Sequence, residues 1–356
     1  MTACKYFNVN CSVKWIQKYT GFLRNLRAVH GLYNLFHRKG LRHNKHLYPY
    51  YGIQRSVYRS ISASFFAGKG AKKPWLDNFT GARDIENHPL FSHFPDAVEQ
   101  QLLQWNRQGY IIWENFLDAE TVDAINQDIE DLMGKNAVDF NYTGRKIFNT
   151  YRQSAVVRKV IKEKRLLELL SFILDKPVVP FQTIHFLKGS EQQPHSDAIH
   201  MSTFPQGYMI AAWFALEDIG PEQGPLSYFP GSQQLPYLTN ADYDNNSNCW
   251  RVDGEANAKY EQKIAQLLAE NNFPKMTFTA KKGDLLIWHG NLIHGGEPML
   301  RREATRKSMV AHYYAKDVIC YHEISERPAI FDTDLIGEID NGFYKGDSDI
   351  LDIPKF

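Results

Sequence analysis

The chain has 356 residues, with 41 Lys and Arg against 40 Asp and Glu, 43% apolar residues and 13% aromatic residues. This composition is typical of a globular protein and excludes a disordered or collagen-like chain. The four cysteines are scattered, which excludes a disulfide scaffold and indicates reduced thiols in a cytoplasmic protein. No apolar run approaches the length of a membrane span, and the N-terminus carries no secretory signal.

The N-terminal part of the chain is strongly basic. Residues 1–76 contain 14 Lys and Arg and no Asp or Glu. Apolar side chains recur at helical spacing from Trp15 to Phe36 with cations around them, which predicts an amphipathic helix. Such a helix can lie on an anionic membrane surface, or it can dock on residues 317–356, which hold ten acids against three Lys and Arg. No nucleic-acid-binding module accompanies the charge, so no nucleic-acid partner is expected.

From residue 77 onward the pattern predicts one α+β domain, with helices first and short strands later. The expected helices cover residues 98–105, 119–133 (capped by Asp118), 166–174 and 255–270. The expected strands cover residues 110–113, 178–187, 208–216, 226–229, 276–279, 284–288 and 308–314. This order favours a double-stranded β-helix (jelly-roll, cupin-like) core with flanking helices. The chain thus divides into a basic helical segment 1–76, a domain 77–316 and an acidic extension 317–356.

Two motifs in the strand-rich half carry candidate metal ligands. His195 and Asp197 lie two residues apart, and side chains so spaced in an extended segment point the same way. His294 supplies a second imidazole about a hundred residues later, and His289 in the same stretch is the alternative. Two histidines and one carboxylate on one face of a metal leave the opposite face open for oxygen and a co-substrate, as in non-haem Fe(II) oxygenases.

Three residues are candidates for binding the co-substrate. Arg306 opens the last predicted strand, where its guanidinium can pair with a carboxylate and Ser308 can add a hydroxyl. Gln182, on the strand before the metal loop, can hydrogen-bond the co-substrate if its side chain points into the barrel.

Three others are candidates for contacting the substrate. His200, five residues after His195, can line the substrate pocket or lie in a solvated loop. Arg145 and Lys146 belong to the polar, basic stretch 142–152, which can form a lid over the substrate or remain a plain surface loop.

The stretch 181–315 resembles the phytanoyl-CoA dioxygenase family of Fe(II)- and 2-oxoglutarate-dependent oxygenases. The matching pieces are His195-Ser196-Asp197, residues 212–219, Gly224-Pro225-Leu226 leading to Pro230-Gly231-Ser232, Gly283-Asp284 leading to His294-Gly295, and Arg306-Lys307-Ser308. Gly109-Tyr110 leading to Phe116-Leu117 resembles the family's usual start. The resemblance implies a jelly-roll core with iron held by His195, Asp197 and His294. It also implies 2-oxoglutarate bound by Arg306, with Trp213 against it.

The chain departs from the family pattern at one position of the site. Where family members carry serine after the His-Gly of the distal motif, this chain has Gly296. One hydroxyl contact to 2-oxoglutarate is then missing, and Ser308 or Thr183 is expected to replace it. Related halogenating enzymes have a small residue in place of Asp197, so the carboxylate here favours hydroxylation.

The function expected from these features is hydroxylation of an aliphatic C–H with Fe(II), 2-oxoglutarate and O2, releasing succinate and CO2. The basic segment favours an anionic, lipid-linked substrate at the inner face of the cytoplasmic membrane. That segment is also similar to the N-terminal part of bacterial family members placed with envelope-glycan genes, which suggests an acidic sugar such as Kdo in a lipopolysaccharide-type glycolipid. The alternatives are hydroxylation of an acyl-CoA or another small molecule, and a jelly-roll protein that binds a glycan or lipid without turnover. The sequence leaves the oligomeric state open.

Overall fold

A computed structural model describes residues 25–78, 84–141 and 144–342 of the chain. The helices in these ranges are α1 (Arg27–Phe36), α2 (Asn44–Tyr50), α3 (Asp96–Leu102), α4 (Trp105–Gln108), α5 (Ala119–Gly134), α6 (Ala155–Val160), α7 (Lys164–Leu174), α8 (Ala256–Asn271) and α9 (Thr333–Gly342). The strands are β1 (Tyr110–Trp113), β2 (Ile147–Phe148), β3 (Val178–Phe186), β4 (Ser202–Phe204), β5 (Met209–Ala215), β6 (Leu226–Tyr228), β7 (Met276–Phe278), β8 (Leu285–His289), β9 (His294–Gly296), β10 (Ser308–Ala315), β11 (Ile319–His322) and β12 (Arg327–Pro328).

The strands of the described ranges form one large and two small antiparallel sheets. The large sheet has the order β1-β8-β5-β10-β3-β2, and the small ones have the orders β12-β11-β4 and β7-β6-β9. Residues of β3, β5 and β10 in the large sheet and of β6, β9 and β11 in the small sheets line one common cavity. The cavity therefore lies between the sheets. This is the jelly-roll core with flanking helices that the sequence predicts.

Burial explains why the central strands read as continuous apolar runs. Every residue of β5, β8 and β10 is buried, because these strands occupy the middle of the large sheet and are covered on both faces. The helix α7 packs against β3, and its leucine-rich sequence is buried along most of its length. Asp118 caps α5 by accepting a hydrogen bond from the backbone N–H of Thr121 at 2.7 Å, as predicted.

The predicted elements are present, with ends shifted by a few residues. The predicted helix 98–105 is the exception, because the structure divides it between α3 and α4. The strands β2, β4, β9, β11 and β12 were not predicted. They are only two to four residues long, which is too short for an alternating pattern to be distinguished from a loop.

The helix α1 coincides with the end of the predicted amphipathic helix. Trp15, Tyr19 and Phe22, which begin that pattern, lie outside the described residues. In α1 the buried side chains are the polar His30 and Asn34. The apolar stripe is instead exposed: Val29, Tyr33 and Phe36 of that stripe, together with Leu32 and Leu35 beside it, are 37–85% accessible.

The described part of the basic segment packs on strands and loops near the acidic end of the chain. Arg27 forms an ion pair with Glu326 at 2.8 Å. The backbone N–H of Ile61 donates to the carbonyl of Glu326, and that of Ala63 donates to the carboxylate of Glu323. Leu47, Tyr48, Ile61 and Phe66 join an apolar cluster with Phe204, Ile319 and Tyr321.

In the part of the chain that the structure describes, no helix combines the length and the apolar character that crossing a membrane requires.

Candidate active site

The two histidines of the metal motif are brought together by backbone pairing. His195 lies in the loop after β3, and His294 opens β9. The N–H of each donates to the carbonyl of the other at 2.9 Å, which forms an isolated antiparallel bridge. Asp197 follows His195 at the start of a short 3-10 turn. One ligand atom from each of the three residues can be chosen so that all three atoms lie within 4.8 Å of one another.

The histidine rings are oriented by their own backbone. Nδ1 of His195 lies 2.9 Å from the carbonyl of Gln193, and Nδ1 of His294 lies 3.0 Å from the carbonyl of Leu292. Each Nδ1–H therefore donates to a carbonyl, so the lone pair of each ring lies on Nε2, the nitrogen that can bind a metal. Both Nε2 atoms face Oδ1 of Asp197, at 3.9 Å from His195 and 3.7 Å from His294.

The charges of these groups suit a divalent cation. Burial alone would raise the pKa of Asp197, but the imidazoles of His294 and His312 hold it well below its usual value. Burial lowers the pKa values of His195 and His294, so both rings are neutral near pH 7. An ionised carboxylate and two neutral imidazoles are the protonation states that bind a metal. This donor set, on one side of a cavity, fits the iron of a facial-triad oxygenase.

Glycine at positions 295 and 296 lets β9 approach the metal loop closely. A Cβ at Gly295 would lie 2.9 Å from the carbonyl oxygen of Gln192, and one at Gly296 would lie 2.9 Å from the backbone nitrogen of Glu191. Both distances are shorter than van der Waals contact allows. This gives a physical reason for the departure from the family's serine at position 296: a side chain there would push the strand that carries His294 away from the loop that carries His195.

The second oxygen of Asp197 is held by residues that the sequence did not identify. Trp288 Nε1–H donates to Oδ2 at 2.9 Å, and Nε2 of His312 lies 3.6 Å from the same oxygen. Trp288 also lies against the ring of His294, with the two centroids 4.6 Å apart. Oδ2 is thus occupied, and Oδ1 is the oxygen presented to the two histidines.

We expect Trp288→Phe to weaken Fe(II) binding by about 10–100-fold, the usual effect of removing an outer-shell partner of a metal ligand. The phenyl ring keeps the packing on His294 but removes the only indole N–H that orients Asp197 among the described residues. Anaerobic Fe(II) titration in the presence of 2-oxoglutarate, followed by visible absorption, measures this affinity. Trp250→Phe at an exposed tryptophan is the matched control and should bind like the wild type. Equal affinity in Trp288→Phe would mean that other contacts orient the carboxylate.

Arg306 is a buried guanidinium in the same cavity. It is 2% exposed, and the described residues place no carboxylate within ion-pair distance of it. Its Nη1–H donates to the hydroxyl of Ser308 at 2.8 Å, while its Nε has no partner among the described residues. The guanidinium lies between the rings of Phe186 and Trp213, 5.4 and 5.7 Å from their centroids. Burial lowers the pKa of Arg306 to about 10, so the group is still charged at neutral pH.

The structure brings several of the other predicted residues to this cavity. Trp213, Gln182, His200 and Lys146 line it together with the triad and Arg306. Lys146 Nζ donates to Oε1 of Gln192 at 2.7 Å, and the amide nitrogen of Gln192 lies 3.0 Å from Nε2 of His195. The Gln192 side chain therefore lies between Lys146 and His195, and its N–H donates to the Nε2 lone pair that a metal would take.

Other predicted residues lie elsewhere. Thr183 lies next to Gln182 on β3, is fully buried and contacts Thr150 on the side away from the cavity. Arg145 forms an ion pair with Glu191 at 2.8 Å and does not line the cavity. Ser308 does not line the cavity itself, and its hydroxyl accepts a hydrogen bond from Arg306, which does.

His289, the alternative metal ligand, is engaged outside the cluster. Its Nε2 lies 3.2 Å from a carboxylate oxygen of Asp77, and its Nδ1 accepts the N–H of Asn291. Neither nitrogen is available to the cavity, so the geometry favours His294.

Trp288, His312 and Tyr260 also contribute to the site and are not among the predicted residues. Tyr260, on α8, accepts the N–H of Ser196 at 2.9 Å and so supports the metal loop from a helix distant in sequence. His312 could have been found, because it lies at even spacing from Arg306 on an extended segment and so shares its face. Nothing in the sequence connects Tyr260 with position 196.

Comparison with known proteins gives three findings. The sequence profile of the family described as phytanoyl-CoA dioxygenase (PhyH) matches residues 105–304. An ectoine dioxygenase of Nocardia farcinica is 26% identical over 220 residues, which cover 56% of this chain and 72% of the relative. The peroxisomal phytanoyl-CoA dioxygenase of Rattus norvegicus is 29% identical over 131 residues, which cover 36% of this chain and 36% of the relative. The crystal structure of the non-heme alpha ketoglutarate dependent carbocyclase SnoK from nogalamycin biosynthesis has a similar fold, with a TM-score of 0.52 and 16% identity, covering 64% of this chain and 87% of that one.

Fold and site together define the class of protein, a jelly-roll oxygenase with a metal site of two histidines and one carboxylate. The profile spans more than half of the sequence, and the chain belongs to the phytanoyl-CoA dioxygenase family. The predictions of this family, of the fold and of an Fe(II)- and 2-oxoglutarate-dependent dioxygenase are confirmed.

Proposed function

We propose that this dioxygenase hydroxylates an aliphatic C–H of an anionic, lipid-linked substrate, with His195, Asp197 and His294 as its iron ligands. The observation that carries the proposal is the presence, in one cavity, of a convergent triad and a buried Arg306 that has no carboxylate partner among the described residues. A protein that only binds a glycan or lipid needs neither feature. Burying a guanidinium without a counter-ion costs several kcal/mol, which a dicarboxylate co-substrate would offset.

In this proposal Arg306 binds the distal carboxylate of 2-oxoglutarate. Phe186 and Trp213 pack on the guanidinium and on the carbon chain of the co-substrate, and Ser308 keeps the guanidinium in place. Gln182, which faces the cavity, offers its amide to 2-oxoglutarate, whereas Thr183 faces away. Iron supplies dioxygen activation coupled to decarboxylation of 2-oxoglutarate to succinate. The role of the chain is to hold the substrate C–H beside the metal and to exclude bulk water.

The charges around the cavity support an anionic substrate. The cavity has a volume of about 860 Å³, at the upper end of small-molecule sites, which leaves room for a second molecule beside 2-oxoglutarate. Lys146, Arg306 and Arg327 line it, whereas Asp197, a proposed iron ligand, is the one acidic side chain among the described lining residues. Lys146 approaches the metal position through Gln192 and is the cation best placed to meet a substrate beside the iron.

The position of α1 supports a lipid-linked substrate. Tyr33 lines the cavity and also belongs to the exposed apolar face of α1, with Leu32 and Phe36. An acyl chain on this face and an anionic head group in the cavity could belong to one molecule. The 14 cations of residues 1–76 would favour an anionic membrane surface, with the enzyme on its cytoplasmic side. A Kdo-bearing glycolipid has this combination of acid, sugar and lipid, and it is the substrate that we put first.

An acyl-CoA is the second candidate. It also combines an acyl chain with anionic phosphates, and a peroxisomal phytanoyl-CoA dioxygenase is among the relatives. The same cations and the same apolar face would serve it.

The experiment that tests the proposal measures succinate formation by the full-length protein with Fe(II) and 2-oxoglutarate. The substrates are a Kdo-bearing lipid A in vesicles, free Kdo, phytanoyl-CoA and ectoine. We expect the glycolipid to give the fastest substrate-dependent succinate formation, with a hydroxylated product detected by mass spectrometry.

The double variant Leu32→Asp/Phe36→Asp tests the lipid part separately. It should slow turnover of the vesicle substrate and leave turnover of free sugar unchanged, and Leu300→Asp, at another exposed leucine, should change neither. If phytanoyl-CoA is turned over faster than the glycolipid, an acyl-CoA becomes the proposed substrate in place of the glycolipid. Absence of 2-oxoglutarate turnover with a folded, iron-loaded protein would contradict the hydroxylation proposal itself.

A further inference from the structure

One wall of the cavity is built by residues outside the part of the chain that matches the family profile. That match ends at residue 304. His322 and Arg327, from the β11–β12 hairpin, and His30 and Tyr33, from α1, all line the cavity. These elements therefore supply contacts to the cavity that the matched part of the chain does not.

A series of side-chain contacts leads along this wall from the metal position to Arg327. The rings of His195 and His200 have centroids 6.1 Å apart, and Nδ1 of His200 lies 3.4 Å from Nε2 of His322. His322 is the register partner of Arg327 across the antiparallel hairpin. Residues directly opposite each other in an antiparallel pair project from the same face of the sheet. Arg327 thus continues the wall on the side of His322 away from the metal.

Arg327 has no counter-ion in the described structure. Its side chain is partly buried, and no carboxylate of the described residues lies within ion-pair distance of its guanidinium. The adjacent Glu326 is turned the other way and pairs with Arg27 at 2.8 Å. The guanidinium lies over the ring of Tyr33, 5.2 Å from its centroid, which stabilises the cation without neutralising it.

Two cavity arginines therefore lack a carboxylate partner among the described residues. Arg306 is assigned by the proposed function to 2-oxoglutarate. A charged group withdrawn from water without a partner is costly, and a ligand that supplies the opposite charge is stabilised by it. Arg327 has the planar fork of donors that suits a carboxylate or a phosphate.

We propose that Arg327 is a specificity-determining residue that binds a carboxylate or phosphate of the substrate, and that Tyr33 of α1 holds its guanidinium in place. This inference rests on the proposed dioxygenase function and deepens it. The anionic group sits beyond His322, so the oxidised carbon lies at some distance from it, on the side toward His200. The basic N-terminal segment thereby contributes directly to the active site.

The test uses the full-length protein, loaded anaerobically with Fe(II) and 2-oxoglutarate, and two matched pairs of probes. Free Kdo is compared with its methyl ester, and glucose 6-phosphate with glucose, by isothermal titration calorimetry. We expect the charged member of at least one pair to bind at least ten-fold more tightly than its neutral partner. A preference for Kdo over its methyl ester indicates recognition of a carboxylate, and a preference for glucose 6-phosphate over glucose indicates recognition of a phosphate.

The variant Arg327→Gln should reduce that preference by at least ten-fold. Arg301→Gln removes one charge from an exposed arginine that does not line the cavity, and it should leave the preference intact. Tyr33→Ala should weaken binding of the charged probe, and Tyr33→Phe, which keeps a ring under the guanidinium, should retain it.

Three outcomes would overturn the subsite. They are equal binding of charged and neutral probes by the wild type, no detectable binding of either anion by the wild type, and an undiminished preference in Arg327→Gln. The wild-type comparison does not depend on whether a variant folds. The visible absorption of the Fe(II)–2-oxoglutarate complex tests the dioxygenase proposal separately. If the band forms and the charge preference is absent, only the proposal for Arg327 fails. If the band is absent in the wild type, the dioxygenase proposal itself is contradicted.

Discussion

His294→Ala is expected to abolish the visible absorption that forms when Fe(II) and 2-oxoglutarate bind anaerobically, and to lower 2-oxoglutarate turnover by at least about 1,000-fold. Removing a proposed ligand should cost more than the 10–100-fold typical of an outer-shell change. His294 Nε2 lies 3.7 Å from Oδ1 of Asp197, and its ring is held by the carbonyl of Leu292, so alanine removes an oriented nitrogen from the triad. Absorption titration and succinate formation measure the two effects.

His289→Asn is the matched control, because His289 is the other histidine of the same stretch. An asparagine oxygen can accept the N–H of Asn291 as Nδ1 does now, but the contact with Asp77 is lost. We expect the absorption band to be retained and the free energy of unfolding to fall by about 1–3 kcal/mol. If instead the band survives in His294→Ala and disappears in His289→Asn, then His289 is the iron ligand and His294 is not.

Arg306→Met is expected to lower 2-oxoglutarate affinity by at least about 100-fold, since breaking a buried charge pair costs about 3–5 kcal/mol. The same substitution should leave the protein without co-substrate at least as stable as the wild type. Arg306 is buried, it lacks a carboxylate partner among the described residues, and its Nε is unpartnered there. Methionine fills a similar space between Phe186 and Trp213 without a charge to desolvate.

Thermal unfolding with and without 2-oxoglutarate checks both parts. The wild type should gain stability when 2-oxoglutarate is added, as binding to the native state requires, and Arg306→Met should gain almost none. Arg301→Met, at an exposed position, should behave like the wild type in both conditions. A large loss of stability in Arg306→Met without co-substrate would show that the charge is already neutralised within the protein, and it would contradict the assignment of Arg306 to a dicarboxylate.

The sequence was informative wherever function depends on residues close together in the chain or on a long, regular pattern. His195 and Asp197 lie only two residues apart, and Arg306 lies two residues before a strand whose apolar run is visible without a structure. The central strands β5, β8 and β10 were predictable because complete burial makes most of their positions apolar. The class of fold and the kind of cofactor followed from these local features together with the family resemblance.

Only the tertiary structure could decide which of two adjacent side chains faces the cavity. Gln182 and Thr183 point to opposite faces of β3, and alternation alone allows either to face inward. The same uncertainty applied to Arg145 and Lys146, of which only Lys146 lines the cavity. Register with β10 and packing of the opposite sheet settle the choice, because they determine which face of the strand is the inner one.

The sequence alone therefore predicts the chemistry of the site: three candidate iron ligands, a candidate arginine for the co-substrate, and a basic segment of unusual composition. The tertiary structure decided what surrounds them. Trp288 and His312 meet Asp197 only because β8 and β10 flank β5 in the sheet, and Tyr33 meets Arg327 only because α1 packs beside the β11–β12 hairpin. Contacts between distant segments depend on how layers pack, and neither composition nor spacing along the chain records that packing.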